Sequence, residues 1–133
     1  MTALGNGYLL DTNIALLGLI APEKISSSAR KAVERGPALI SVVSYWEVLL
    51  KSMKGWLEVG DPRVWFTETL DNLAAAPLVL RPAHLSAILR LDPIHQDPFD
   101  RALIAQAIVE DLTLVTTDSE IPKYASKQLR VIS

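Results

Sequence analysis

Cysteine is absent from these 133 residues, and histidine occurs only at His84 and His95. Without thiols there can be no disulfides and no thiolate metal sites, and the two histidines show no ligand spacing; a reducing compartment is compatible with such a chain. Basic charge is not in excess either. Thirteen Lys and Arg against fifteen Asp and Glu leave a net charge of -2, so any polyanion has to be held by a local site rather than by an overall positive field. Long hydrophobic runs are also missing. The apolar stretch from Tyr8 to Ile20 is interrupted by Asp11 and has no basic flank ahead of it, which argues against a signal peptide or a membrane span and for a cytoplasmic protein. With half the residues hydrophobic and no repeats or low-complexity tracts, residues 1–133 are expected to fold as one domain around a real core.

What is present is an alternation of short apolar strands and amphipathic helices. Gly7 to Leu10 reads as a strand, and Ile14 to Ile20 as a buried helix. Ser26 to Ser28 open a second helix that closes at Gly36. Ala38 to Val43 is β-branched and continuous, as in a strand covered on both faces; Ser44 and Glu47 then form a capping-box pattern opening a helix with Trp46, Leu49, Leu50 and Met53 on its apolar stripe. Gly55 and Gly60 bracket a connector before a helix starting at Asp61-Pro62. Leu78 to Leu80 reads as a strand, and Pro82 to Leu91 as a helix with Leu85, Ile88 and Leu89 inward. Asp97 as N-cap and Pro98 at the first helical position start a helix running to about Glu110. Leu112 to Thr116 is a strand, Ile121 to Lys127 a helical stretch, and Leu129 to Ile132 a last strand. The pattern predicts a three-layer α/β/α sandwich with a mostly parallel sheet.

Four acids fall at one edge of that sheet. Asp11 and Asp118 each follow the carboxyl end of a strand, and Glu47 lies early in a helix leaving such an end. Asp100, on the stripe with Leu103, Ile104 and Ala107, begins a helix antiparallel to the strand that it feeds. In open α/β sheets this is the edge where ligands bind. Each acid has a local reading as well: Asp11 and Asp118 can cap helices, Glu47 can pair with Ser44 or Lys51, and Asp100 can be held by the helix dipole. Their convergence points further. Four neighbouring carboxylates repel one another unless cations intervene, and ligands made of oxygen alone suit Mg²⁺ or Mn²⁺. Such an ion makes water acidic enough to attack a phosphodiester.

Tyr8-Leu9-Leu10-Asp11-Thr12-Asn13, Ser41 to Glu47, Asp97 to Ala107 and Leu114 to Asp118 together resemble the PIN-domain ribonucleases, and more closely the VapC-type toxins of bacterial toxin-antitoxin pairs. The resemblance covers nearly the whole chain. It implies a Mg²⁺- or Mn²⁺-dependent endoribonuclease acting on RNA, a homodimer, and inhibition by a cognate antitoxin protein. Carried over by motif, the catalytic and metal-binding acids are Asp11, Glu47, Asp100 and Asp118, with Asp97 left to cap its helix. Thr12, Asn13, Ser44 and Thr116 are placed to orient the acids by hydrogen bonds, and Arg101 to reach phosphate.

Other features carry less. His84 and His95 read as surface or capping residues, Lys51 and Lys54 as able to touch an RNA backbone, and Trp56, Trp65 and Phe66 as an interface or as core. A phosphatase of the haloacid-dehalogenase type would need an aspartate where Asn13 stands. A phosphoacceptor receiver domain would need an acidic pair after the first strand. A PIN-like module that binds RNA or protein without catalysis is the remaining alternative.

Overall fold

The computed structural model describes residues 6–93, 97–126 and 128–133, the side chain of Leu19 excepted. The expectations for His95 and Lys127 therefore lie outside the described residues. Five strands form one parallel sheet in the order β3-β2-β1-β4-β5. These are β1 (Tyr8–Leu10), β2 (Ala38–Ser41), β3 (Ala75–Leu78), β4 (Thr113–Val115) and β5 (Arg130–Ile132). Six α-helices connect them: α1 (Thr12–Ile20), α2 (Ser27–Arg35), α3 (Val42–Met53), α4 (Pro62–Asn72), α5 (Pro82–Ile88) and α6 (Pro98–Glu110). Short 3-10 turns occupy Pro22–Lys24 and Ile121–Tyr124, the second standing where a longer helical stretch was expected.

Alternation along each strand divides the core into two layers. Tyr8 and Leu10 of β1 point into a cluster with Ile14, Ala29, Ile40, Phe66 and Val115, under α1, α2 and α4. Leu9, between them, points the other way into a cluster with Leu103, Ile104, Leu114, Ile121 and Leu129, under α6. With helices on both faces, the central strand is buried throughout and has no polar side, which explains the continuous apolar reading of Tyr8-Leu9-Leu10.

The boundaries of β2, α3 and β3 differ from the sequence expectation, each for a local reason. The strand expected over Ala38 to Val43 ends at Ser41, whose hydroxyl accepts the Val43 N–H at 3.0 Å and so caps α3 two residues into the β-branched run. Ser44 is thus inside the helix and Glu47 in its second turn, and the Ser44–Glu47 capping box does not form. The strand expected at Leu78 to Leu80 lies earlier, at Ala75–Leu78. It is an edge strand, where Pro77 can be tolerated although it lacks an N–H to donate.

In α5 the inward face is His84 and Ala87, while Leu85 and Leu89 are exposed. His84 is fully buried because its ring is satisfied on both sides. The Arg81 backbone N–H donates to Nδ1 at 2.9 Å, so Nε2 carries the proton and donates to Glu110 Oε2 at 2.7 Å. The Arg81 guanidinium holds that same carboxylate, and it, ahead of His84, keeps the Glu110 carboxyl below its usual range. His84→Ala is therefore expected to lose about 2–4 kcal/mol, from the cavity and from the unpaired groups left behind, as read by urea unfolding at pH 7.

Strand order also fixes where a site can form. From β1 the chain first builds outward through β2 and β3, then crosses to the opposite side for β4 and β5. The switch lies between β1 and β4, so a crevice opens beyond their carboxyl ends. The residues that follow those two ends are Asp11 and Thr116 to Asp118.

Candidate active site

Asp11 leaves β1 as the N-cap of α1. Its Oδ1 accepts the Ile14 N–H at 2.8 Å, and its own N–H donates to Val115 O at 2.9 Å, locking it against β4. The Thr116 hydroxyl donates to Asp11 Oδ2 and itself accepts the Asp118 N–H at 2.9 Å. One threonine thus sets two of the four expected acids. Asp118 Oδ1 accepts the Glu120 N–H at 2.7 Å, which fixes the turn that follows β4. Asp11 is buried, and burial pushes its carboxyl above the usual range, with repulsion from Asp118 adding to the shift and hydrogen bonds from Thr116, Ile14 and Thr117 opposing it.

Glu47 reaches the crevice from α3. The Thr12 hydroxyl lies 2.7 Å from Glu47 Oε1 and 2.9 Å from Ser44 Oγ; its single proton goes to the carboxylate, which leaves Ser44 to donate to Thr12. Glu47 Oε2 is 2.6 Å from Lys51 Nζ, one turn on. This contact leads the causes that raise the Lys51 pKa, and the charges of Asp97 and Asp100 add to it. From α6 come Asp97 and Asp100. Asp97 Oδ1 accepts the N–H groups of Phe99 at 2.8 Å and Asp100 at 3.2 Å, a helix cap as expected.

These side chains line one hollow of about 140 Å³, formed by Asp11, Thr12, Asn13, Glu47, Lys51, Asp97, Asp100 and Asp118. All four acids singled out in the sequence reach it, from four separate segments. Thr12 and Asn13 line it too, whereas Ser44 and Thr116 stand behind and hold Thr12 and Asp11. Arg101 does not reach it. Its guanidinium turns to the carbonyls of Asp92 at 3.1 Å and Ile88 at 3.4 Å, tying α6 to the end of α5. Lys51 and Asp97 line the hollow although the expected site left them out; for Lys51 the i,i+4 spacing from Glu47 was the available signal.

Among the described residues that line it, five carboxylates stand with the Lys51 ammonium, a donor set of hard oxygens that suits a divalent cation of the Mg²⁺ or Mn²⁺ kind and is relieved of repulsion by one. Among the described residues no three His, Asp or Glu side chains already stand grouped as metal ligands. The carboxylates ring the hollow, so gathering around an ion takes side-chain rotation. A larger hollow, of about 550 Å³, lies at the opposite, amino end of the sheet beside Gly36 and Pro37 and is mostly apolar; the titratable groups are concentrated in the smaller one. No helix among the described residues is long and apolar enough to cross a membrane.

A family model for the PIN domain matches residues 8–127. No curated protein sequence matches the chain. Among solved structures, the VapBC2 complex of Rickettsia felis, bound to a DNA fragment from its promoter, contains a chain similar at a TM-score of 0.67 and 16% identity, over 96% of this chain and 98% of that one. A toxin-antitoxin complex of Klebsiella pneumoniae gives 0.62 and 19% identity, over 96% and 97% of the two chains. VapBC-5 of Mycobacterium tuberculosis gives 0.60 and 17%, over 96% and 98%. At such identities the likeness is one of fold.

Proposed function

This chain belongs to the PIN domain family, and we propose that within it the protein is a Mg²⁺- or Mn²⁺-dependent endoribonuclease, the toxin of a VapBC-type pair. The observation that carries the reading is the meeting of Asp11, Glu47, Asp100 and Asp118, far apart in the chain, around one small hollow beyond β1 and β4. The similar folds in toxin-antitoxin complexes support a protein antitoxin as partner. A second copy of the chain and a cytoplasmic RNA complete the proposal.

Asp11, Asp100 and Asp118 would hold the ion, and Glu47, kept on Lys51, would add its charge from α3. When bound, the ion supplies positive charge to the phosphodiester and lowers the pKa of water beside it. The protein does the rest by position. Thr116 keeps the Asp11 carboxylate turned to the hollow, and by accepting the Asp118 N–H it fixes the backbone of the acid that follows β4. The Thr12–Ser44 pair holds Glu47 from α1. Asn13, exposed at the rim, presents an amide that can donate to a phosphate oxygen.

Cleavage of single-stranded RNA by the purified protein is expected with Mn²⁺ or Mg²⁺, to be abolished by EDTA, and to fall at least about a hundredfold in Asp100→Asn. Cleavage that persists unchanged in EDTA or in the variant would overturn the mechanism. The toxin role is tested separately: expression in a bacterium should arrest growth, and a wild-type strain that keeps growing counts against it.

A further inference from the structure

The Glu47–Lys51 pair differs from an ordinary ion pair along a helix. Pairs of this spacing on an open face are weak and screened. Here the carboxylate is buried, 8% exposed, while the ammonium lines a hollow that it shares with Asp11, Asp97, Asp100 and Asp118. Both oxygens of Glu47 are engaged, Oε1 by the Thr12 hydroxyl at 2.7 Å and Oε2 by Lys51 Nζ at 2.6 Å. Asp97 is engaged by two amides of α6.

We propose that Lys51 is a resident cation of the acid cavity, seated on Glu47 where a second divalent ion would otherwise be bound, so that the site takes up one ion and not two. The proposal rests on the divalent-ion reading above and specifies its stoichiometry. Nuclease sites with two ions place them about 4 Å apart, each neutralising part of the phosphate charge. An ammonium on one of the carboxylates supplies positive charge at that place and repels a dication from it. Lys51 here is a positioning residue: it acts on the ion through Glu47 and through charge.

The test is to count Mn²⁺ bound to the metal-free full chain, by calorimetric titration and by the loss of the electron-paramagnetic signal of free Mn²⁺, for wild type, Lys51→Met and Lys51→Arg. Wild type and Lys51→Arg should bind one ion per chain. Lys51→Met should bind a second ion. Circular dichroism checks that each variant is folded; the Lys51 side chain is 44% exposed, so the change sits at the surface of the helix. Two ions on the wild type, or only one ion on Lys51→Met, overturns the proposal while leaving the divalent-ion reading intact. No Mn²⁺ bound by any of the three overturns both.

Discussion

Asp11→Asn is expected to reduce Mn²⁺-dependent RNA cleavage by about 100- to 1,000-fold and, in EDTA at pH 7, to make the protein more stable. The two effects have one source. Burial raises the Asp11 pKa, so the ionised form opposes folding. A raised folded-state pKa contributes stability that is fully present below the unfolded value of about 3.8 and is lost as pH rises through the folded value. At neutral pH the metal-free fold carries that penalty, and asparagine removes it. The caps survive the change, because asparagine is as good an N-cap for the Ile14 N–H, and its amide can donate to Thr116 Oγ1. A gain on the order of 1 kcal/mol, roughly 3–5 °C in Tm, should be seen by calorimetry in EDTA and should shrink as pH is lowered toward 4. Adding Mn²⁺ should reverse the order, since binding stabilises the wild type more than the variant. A variant less stable than wild type in EDTA at pH 7 would show that the carboxylate serves the fold rather than strains it.

Asp11, Asp100 and Asp118 were legible in the sequence because they stand at or next to element boundaries that carry their own signals. Asp11 follows a wholly apolar strand, Asp97-Pro98 announces a helix, and Thr116-Thr117-Asp118 ends another apolar run. What stayed hidden was set by contacts across the chain. Val42 and Val43 read as strand, yet Ser41 caps a helix there and carries Glu47 to the hollow. Ala-Ala-Pro gives no strand signal, yet Ala75–Leu78 pairs along β2, which supplies the partner. Leucines at 85 and 89 look more apolar than His84, but the histidine finds Glu110 and the Arg81 amide, and burial follows hydrogen bonding. Arg101 sits beside Asp100 in sequence and about 100° away around the helix, so its neighbours are carbonyls of the α5 end rather than the hollow.

Gly7→Ala is expected to be the most damaging single change in the central strand, at about 3–5 kcal/mol. Gly7 has φ of +126°, and a Cβ there would lie 2.6 Å from Pro37 O and 3.1 Å from Pro37 Cγ. The oxygen cannot retreat, because it accepts the Tyr8 N–H at 2.9 Å, the contact that starts the β1–β2 ladder. Nor can Gly7 move away, since its own carbonyl accepts the Thr113 N–H at 2.9 Å from β4. The residue is held from both sides at the root of the strand that ends in Asp11, so any shift that relieves the clash is passed along β1 to the acid. Gly55→Ala supplies the comparison. Gly55 has φ of +74°, but a Cβ there would meet no atom within 4 Å, so only the backbone preference is lost, about 1 kcal/mol. Urea unfolding of both variants reads the difference: a gap of about 2 kcal/mol or more, as ~3–5 against ~1 requires, is what the close approach at Pro37 and the wider φ of Gly7 add together, and equal losses would overturn the prediction.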